Sequence, residues 1–296
     1  MRSTRPRKQF AQHWLKSEKA LDRIVKAANL SGDRVLEIGP GTGILTRRLL
    51  SAAESVVAVE IDRDLCLQLA KQLGKIDNFL LLQGDFLEMD LQSQLVAFGK
   101  FQNPNKVVAN IPYNITGPIL QKLLGTISAP AAKPFDSIVL LVQKEVAERL
   151  YAKPSSRAFG ALSVRVQYLA ECELICDVQA KEFFPPPKVD SAVVRLRPRS
   201  IETPAVNPRH LENLVKLGFG SKRKMLRNNL KGAVDLDKLV QLLEELQINP
   251  QSRAEDLSVE QWVNLSNHII SSQPILNLSD SAVETASTQT KSACAD

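Results

Sequence analysis

Asn110, Ile111, Pro112 and Tyr113 stand together in the run VVANIPYNITGPI, behind a Val-rich stretch. Their types suit work on an amino group attached to an aromatic ring. Such a nitrogen is a weak nucleophile, because its lone pair is delocalised into the ring. A carboxamide oxygen beside a main-chain carbonyl can accept both of its N–H bonds and draw it toward a tetrahedral shape, placing electrostatic help where charge develops. Pro112 stiffens the turn. Tyr113 offers a ring on which a base that has left its helix can stack. Alignment and electrostatics then suffice, with no Ser-His-Asp set and no metal. Alone, the tetrapeptide marks only an Asn-x-Pro turn; residues earlier in the chain give it weight.

Those residues begin with LEIGPGTG, which sets Gly39, Gly41 and Gly43 between a short apolar run and a helical pattern. Glycine serves where the backbone takes a positive φ or where a ligand presses on the main chain. Glu60 closes the next apolar run, 21 residues after Gly39, where a carboxylate can accept both hydroxyls of a ribose. Asp85, in QGDFLEMD, is an acceptor placed for an exocyclic amine, although a turn residue is its plainer role. A dinucleotide loop asks for glycine where this chain has Ile44. S-adenosylmethionine has no pyrophosphate to cradle, and the set of residues favours it over NAD.

The elements that must position these groups follow from hydrophobic periodicity. Leu21, Ile24, Val25 and Ala28 recur at helical spacing over residues 17–28. Apolar runs at 34–39, 55–62, 79–85, 106–113 and 137–143 alternate with helical patterns, which predicts a parallel sheet covered on both faces. Residues 173–180 and 191–198 read as strands flanking KEFFPPPKVD, whose prolines hold an extended segment. Past Pro198 only helices are expected: LENLVKLGF, KRKMLRNNL, LDKLVQLLEEL and VEQWVNLSNHI. The expected fold is α/β, a Rossmann-like, mostly parallel sheet with a small all-helical domain behind it. The boundaries are 1–199 for the cofactor domain with its basic arm, 200–271 for the helical unit, and 272–296 for a Ser/Thr-rich tail too poor in apolar residues to pack.

Composition excludes other classes. Of 296 residues, 44% are hydrophobic and 24% charged, which is globular rather than fibrous or disordered. No apolar run is long enough to span a bilayer, and the basic start lacks the apolar core of a signal peptide. Cys66, Cys172, Cys176 and Cys294 are scattered, so a reducing, cytoplasmic setting is expected and neither a disulfide scaffold nor a zinc site is. Net charge is +6, unevenly placed. Residues 1–30 hold eight basic and two acidic side chains, whereas 213–234 carry Lys216, Lys222, Arg223, Lys224, Arg227 and Lys231 with no acid. Two basic runs around an acid-rich middle form a footprint for a polyanion, a nucleic acid.

The Asn-Ile-Pro-Tyr segment resembles the signature of amino-group methyltransferases. Taken with KQFAQHWL, VLEIGPGTGILT, VEIDRDL, GDFLEMD, VQKEVAERL, FFPPPKVDSAVVRL and FGSKRKMLRNNL, the chain from Lys8 to about Ile270 resembles the ribosomal small-subunit RNA adenine dimethyltransferases of the KsgA type. The resemblance implies S-adenosylmethionine as cofactor and dimethylation at N6 of two adjacent adenosines, in a hairpin loop near the 3′ end of 16S-type rRNA within a small-subunit precursor. It implies a cofactor site of His13, Leu15, Gly39, Gly41, Glu60 (ribose), Asp85 (adenine amine) and Asn110. The catalytic set would be Asn110, Ile111, Pro112, Tyr113 and Phe183, with Tyr113 and Phe183 sandwiching the adenine. One departure stands out: the family usually has Asn where this chain has His13, and a His can still donate or accept a hydrogen bond. For RNA phosphates the candidates are the arm from Arg2 to Lys8 and the cluster Lys222, Arg223, Lys224 and Arg227. A monomer is expected. Two other readings stay open at this point: an adenine methyltransferase of large-subunit rRNA, and an RNA-binding assembly or transcription factor that keeps the fold without turnover.

Overall fold

The computed structural model describes residues 6–7 and 12–272. The chain enters through a two-residue strand, β1 (Trp14–Leu15), and then α1 (Glu18–Ala28). Ser17 starts that helix by accepting the Ala20 N–H at 3.3 Å, and Asn29 ends it in the left-handed region, φ 48°. Alternating units follow: β2 (Arg34–Ile38), α2 (Ile44–Leu50), β3 (Ser55–Glu60), α3 (Arg63–Leu73), β4 (Phe79–Gln83), α4 (Leu91–Leu95), β5 (Lys106–Asn110), α5 (Thr116–Leu124), β6 (Ser137–Gln143) and α6 (Lys144–Tyr151). Next come α7 (Ala161–Leu169), β7 (Ala170–Val178), the short β8 (Phe183–Phe184) and β9 (Ser191–Pro198). Helices α8 (Pro208–Gly218), α9 (Leu226–Leu230), α10 (Leu236–Glu245) and α11 (Val259–Ser271) complete the described chain.

The main sheet runs β4-β3-β2-β5-β6-β9-β7. Its first five strands are parallel, while β9 lies antiparallel between β6 and β7. Side chains alternate across it: Val57 and Val59 enter one core, Val56 and Ala58 the other. Leu21, Ile24, Leu49 and Leu69 cover one face, and Ile119, Leu120, Ala147 and Val164 the opposite one. Leu211, Leu214, Val215, Leu243 and Trp262 of the C-terminal helices belong to the core of Val57, Val59 and Ile119. Trp262 lies fully buried against Gly218, where an added Cβ would sit 2.3 Å from the indole.

Helix α7 is not among the elements expected from the sequence, the strand expected over 173–180 lies at Ala170–Val178, and two further details differ. The expected helix over 222–230 is confined to Leu226–Leu230, because Met225 is extended and bridges to Arg253, leaving Ser221–Lys224 as a turn. Near the amino terminus, β1 pairs antiparallel with β8, a ribbon that two-residue strands are too short to announce by periodicity.

Candidate active site

The parallel strands β2, β3, β4 and β5 end on one side, where ligand crevices form in open α/β sheets. There, His13, Leu15, Gly39, Gly41, Glu60, Asp85, Asn110, Ile111, Pro112 and Tyr113 line a single cavity of about 280 Å³. Gly41 has φ +58°, and a Cβ there would come to 3.4 Å from the Trp14 ring, so the loop takes a path that suits glycine beneath that indole.

Glu60, at the end of β3, is buried, and its two oxygens hold the loops on either side. One accepts the Gly41 N–H at 3.1 Å and the other the Asp62 N–H at 2.9 Å. Burial raises its carboxyl above the ordinary range, against those two bonds that lower it. Asp62 is itself clamped by Arg7 at 3.1 Å and Gln12 at 3.2 Å, and Arg7 also pairs with Asp64. Asp85, just past β4, accepts the Leu87 N–H at 2.8 Å through Oδ1, and its Oδ2 has no partner among the described residues.

Asn110 ends β5. Its Nδ2 donates to the His13 carbonyl at 3.3 Å, and its Oδ1 has no partner among the described residues. Ile111 is core, 1% exposed, and anchors the turn from below. Pro112, extended at φ −61°, leads into the single turn of 3₁₀ helix Tyr113–Ile115. The Tyr113 hydroxyl meets Ser191 Oγ at 2.6 Å, and burial raises the phenol, with that bond offsetting part of the rise. The His13 ring stacks on Tyr113, centroids 5.8 Å apart and planes 15° apart, while its Nδ1 lies 2.7 Å from the Pro185 carbonyl oxygen.

Other expected residues take different places. Phe183 is 1% exposed and packs in the core beneath the β1–β8 ribbon, not in the cavity wall. Its neighbour Phe184 is 54% exposed, with Lys16 Nζ 5.9 Å above its ring. Lys222 is tied down, donating to the Arg157 carbonyl at 2.6 Å and standing 3.7 Å from Glu255. Arg223 and Lys224 are exposed, and Arg227 is partly covered in α9. In the arm, Arg7 is engaged in ion pairs; Arg2, Arg5 and Lys8 lie outside the described residues, as does all but Ser272 of the expected tail.

Sequence reasoning missed Glu37 and Ser191. Glu37, 1% exposed, lines the cavity with Oε2 unpartnered among the described residues, and burial pushes its carboxyl up to about 8, the nearby Thr46 hydroxyl lowering it only in part. The available signal was a carboxylate inside the apolar strand VLEIG. Ser191 carried no local signal, because its role depends on β9 reaching Tyr113 from 78 residues away.

The cavity therefore holds three carboxyls, of Glu37, Glu60 and Asp85, and neither Lys nor Arg among its described lining residues. That balance suits a cation and disfavours a pyrophosphate. Among the described residues no cluster of His, Cys, Asp and Glu fits a metal ion, and no helix is long and apolar enough to cross a membrane.

Comparison with known proteins agrees with this picture. A family model described as ribosomal RNA adenine dimethylase matches residues 3–271. The chain is 76% identical over 264 residues to the ribosomal RNA small subunit methyltransferase A of Nostoc sp., covering 89% of this chain and 97% of that one. It is 57% identical over 272 residues to the protein of the same name from Synechocystis sp., with 89% and 96% covered. Among solved structures, a dimethyladenosine transferase from Plasmodium falciparum superposes with TM-score 0.72 at 29% identity, covering 86% of this chain and 96% of that one. The 23S rRNA methyltransferase ErmE superposes with TM-score 0.67 at 27% identity, covering 87% and 99%. Fold, site geometry and sequence converge, and the chain belongs to the ribosomal RNA adenine dimethylase family.

Proposed function

We propose that this chain, an S-adenosylmethionine-dependent dimethylase of small-subunit rRNA, acts on N6 of two adjacent adenosines in a hairpin loop near the rRNA 3′ end. The observation that carries the reading is Asn110 Oδ1, an unengaged acceptor at the end of β5 between the carboxyl-lined cavity and the Tyr113 ring.

The residues present fit the cofactor. Each Glu60 oxygen keeps a lone pair for a ribose hydroxyl beyond its backbone bond, and Asp85 Oδ2 is open to an adenine amine. Leu15 and Gly39 supply apolar wall and close backbone, and the unpartnered Glu37 Oε2 adds a buried acceptor, held as the neutral acid near pH 7 in the free protein. When bound, S-adenosylmethionine supplies an electrophilic methyl group. The chain's own part is to bind, orient and neutralise. Asn110 Oδ1 accepts an N6–H of the target adenine, Ile111 and Pro112 hold the turn rigid, and Tyr113 takes the extruded base on its ring, its hydroxyl fixed by Ser191. After each transfer N6 gives up a proton to water, and the mono-methylated amine presents its remaining hydrogen to the same acceptor. Phe183 would serve as the opposite wall only from its place beneath the β1–β8 ribbon, whose Phe183–Pro185 segment forms a strap. Phe184 is the strap's exposed ring.

The helical segment 200–271 is the proposed RNA-binding unit, with Arg223 and Lys224 as phosphate contacts, Arg227 beside them, and Lys222 linking the turn to Arg157. The target is assigned to the small-subunit precursor and the working form to a cytoplasmic monomer; Cys66, Cys172 and Cys176 are free thiols, which suits a reducing compartment. Arg223→Glu combined with Lys224→Glu should weaken RNA binding about tenfold or more and flatten its salt dependence by about two in log–log slope. S-adenosylmethionine affinity should stay unchanged. Filter binding across a salt series checks this, and salt-insensitive wild-type binding would sink it.

The reaction itself is tested with labelled S-adenosylmethionine and small subunits lacking the modification, digested to nucleosides and read by mass spectrometry. N6,N6-dimethyladenosine mapped to two neighbouring positions near the 3′ end is the expected product. Particles that bind the protein but gain no methyl group would instead support an assembly factor without turnover.

A further inference from the structure

Three contacts converge on His13. Its main-chain carbonyl accepts the Asn110 amide, its ring lies against Tyr113, and its Nδ1 reaches the Pro185 carbonyl oxygen. A carbonyl only accepts, so Nδ1 carries the proton and the ring orientation is set by the strap. The Tyr113 ring is thus held at two places: its hydroxyl by Ser191 on β9, and one face by the imidazole. The strap is in turn held to the amino-terminal segment by the pairing of Trp14 with Phe184 and Leu15 with Phe183, and by the Lys16 N–H donated to Glu182 O at 2.8 Å.

We propose that the His13 side chain is a positioning residue for the target adenine. It ties Tyr113 to the Phe183–Pro185 strap, so that the base meets an aromatic ring already fixed, on the face that the imidazole leaves uncovered. This rests on the reading of Asn110 and Tyr113 as the adenine site. It gives His13 two separable duties. The main chain holds Asn110 and would serve any residue at this position, whereas the ring serves Tyr113 and the strap. An aromatic contact and a hydrogen bond to a carbonyl each restrict a ring that would otherwise sample other rotamers, and preorganisation of this kind is read in turnover of the bound substrate more than in cofactor affinity.

The test compares the full-length wild type with His13→Ala, His13→Asn and His13→Phe. His13→Asn keeps an N–H for Pro185 without the stack, and His13→Phe keeps a ring for Tyr113 without the donor. Three quantities are measured: S-adenosylmethionine affinity by calorimetry, kcat and KM on unmethylated small subunits, and the fluorescence of 2-aminopurine in the loop of a short RNA hairpin on adding protein. Thermal midpoints confirm that each variant is folded. His13→Ala should lose about tenfold in kcat/KM at saturating cofactor and most of the 2-aminopurine response, a loss larger than any change in cofactor affinity from its place on the cavity wall. His13→Asn and His13→Phe should each recover part of both. A folded His13→Ala with wild-type kcat/KM and wild-type fluorescence overturns the proposal. So does a loss of cofactor affinity that accounts for the whole effect, since the ring would then belong to the cofactor. A wild type that shifts 2-aminopurine without making dimethyladenosine sinks the proposed reaction alone, and the fluorescence of the variants still decides His13. A wild type that does neither overturns both.

Discussion

Asn110→Ala should lower kcat for methyl transfer by about 10²–10³, equivalent to about 3–4 kcal/mol of transition-state stabilisation. The expectation comes from the place of Oδ1, at the end of β5 and on the wall of the cavity. Its Nδ2 is spent on the His13 carbonyl, so the oxygen is the side-chain acceptor left for N6, whose hydrogens become more acidic as the nitrogen gains positive charge. An interaction stronger in the transition state than in the ground state appears in kcat rather than in KM. The substitution also frees the His13 carbonyl, and Asn110→Asp separates the two effects. Aspartate keeps an acceptor but loses the donor to His13, so it should retain more activity than Ala while loosening the same tether. Single-turnover assays on saturated small subunits check both variants. Asn110→Ala turning over within about threefold of wild type would remove Asn110 from the chemistry.

The second large effect concerns stability, and its sign is set by Glu37. Folding buries this carboxyl at 1% exposure with Oε2 unpartnered, and pushes it up to about 8 from 4.5. Between those values the folded protein holds a proton that the unfolded chain has released. Stability therefore falls as pH rises through the window, by an amount on the order of a few kcal/mol once both states have ionised. Glu37→Gln removes that dependence. Near pH 8.5 the variant should be more stable than wild type by about 2–4 kcal/mol, a shift of several degrees in Tm, and the advantage should shrink toward pH 5. Denaturant unfolding at a series of pH values measures it, and parallel stability curves for the two proteins would contradict it. The same variant should weaken S-adenosylmethionine binding mainly above pH 8, where the wild-type carboxyl ionises in the free protein and can receive a cation.

Much of this was legible in the sequence, for a physical reason. In a parallel sheet every strand delivers its last residue to the same edge, so Gly39, Glu60, Asp85 and Asn110, each read as ending a strand, had to meet once the strands were placed. The direction of β9 was not legible, because an apolar run has the same appearance whichever way it points. Phe183 and Phe184 are adjacent in sequence and opposite in fate, and only the pairing of β8 with β1 decides which ring is buried. Lys222 reads as one more cation in a run, yet its ammonium is engaged by the Arg157 carbonyl, a contact 65 residues distant. Glu37 lay in view inside VLEIG and was passed over, because a strand pattern records hydrophobicity and not the cost of one buried charge.

The β1–β8 ribbon also bears on how the molecule is made. His13 and Pro185 meet across 172 residues, whereas the glycine loop meets Glu60 across 19. Closing a longer loop costs more chain entropy and takes longer. A chain emerging from its own ribosome can thus shape the cofactor end early, while His13 and Tyr113 wait for the strap and Ser191 to be synthesised. The proposed adenine site is completed after the cofactor end, so a half-made chain holds no finished slot for the base.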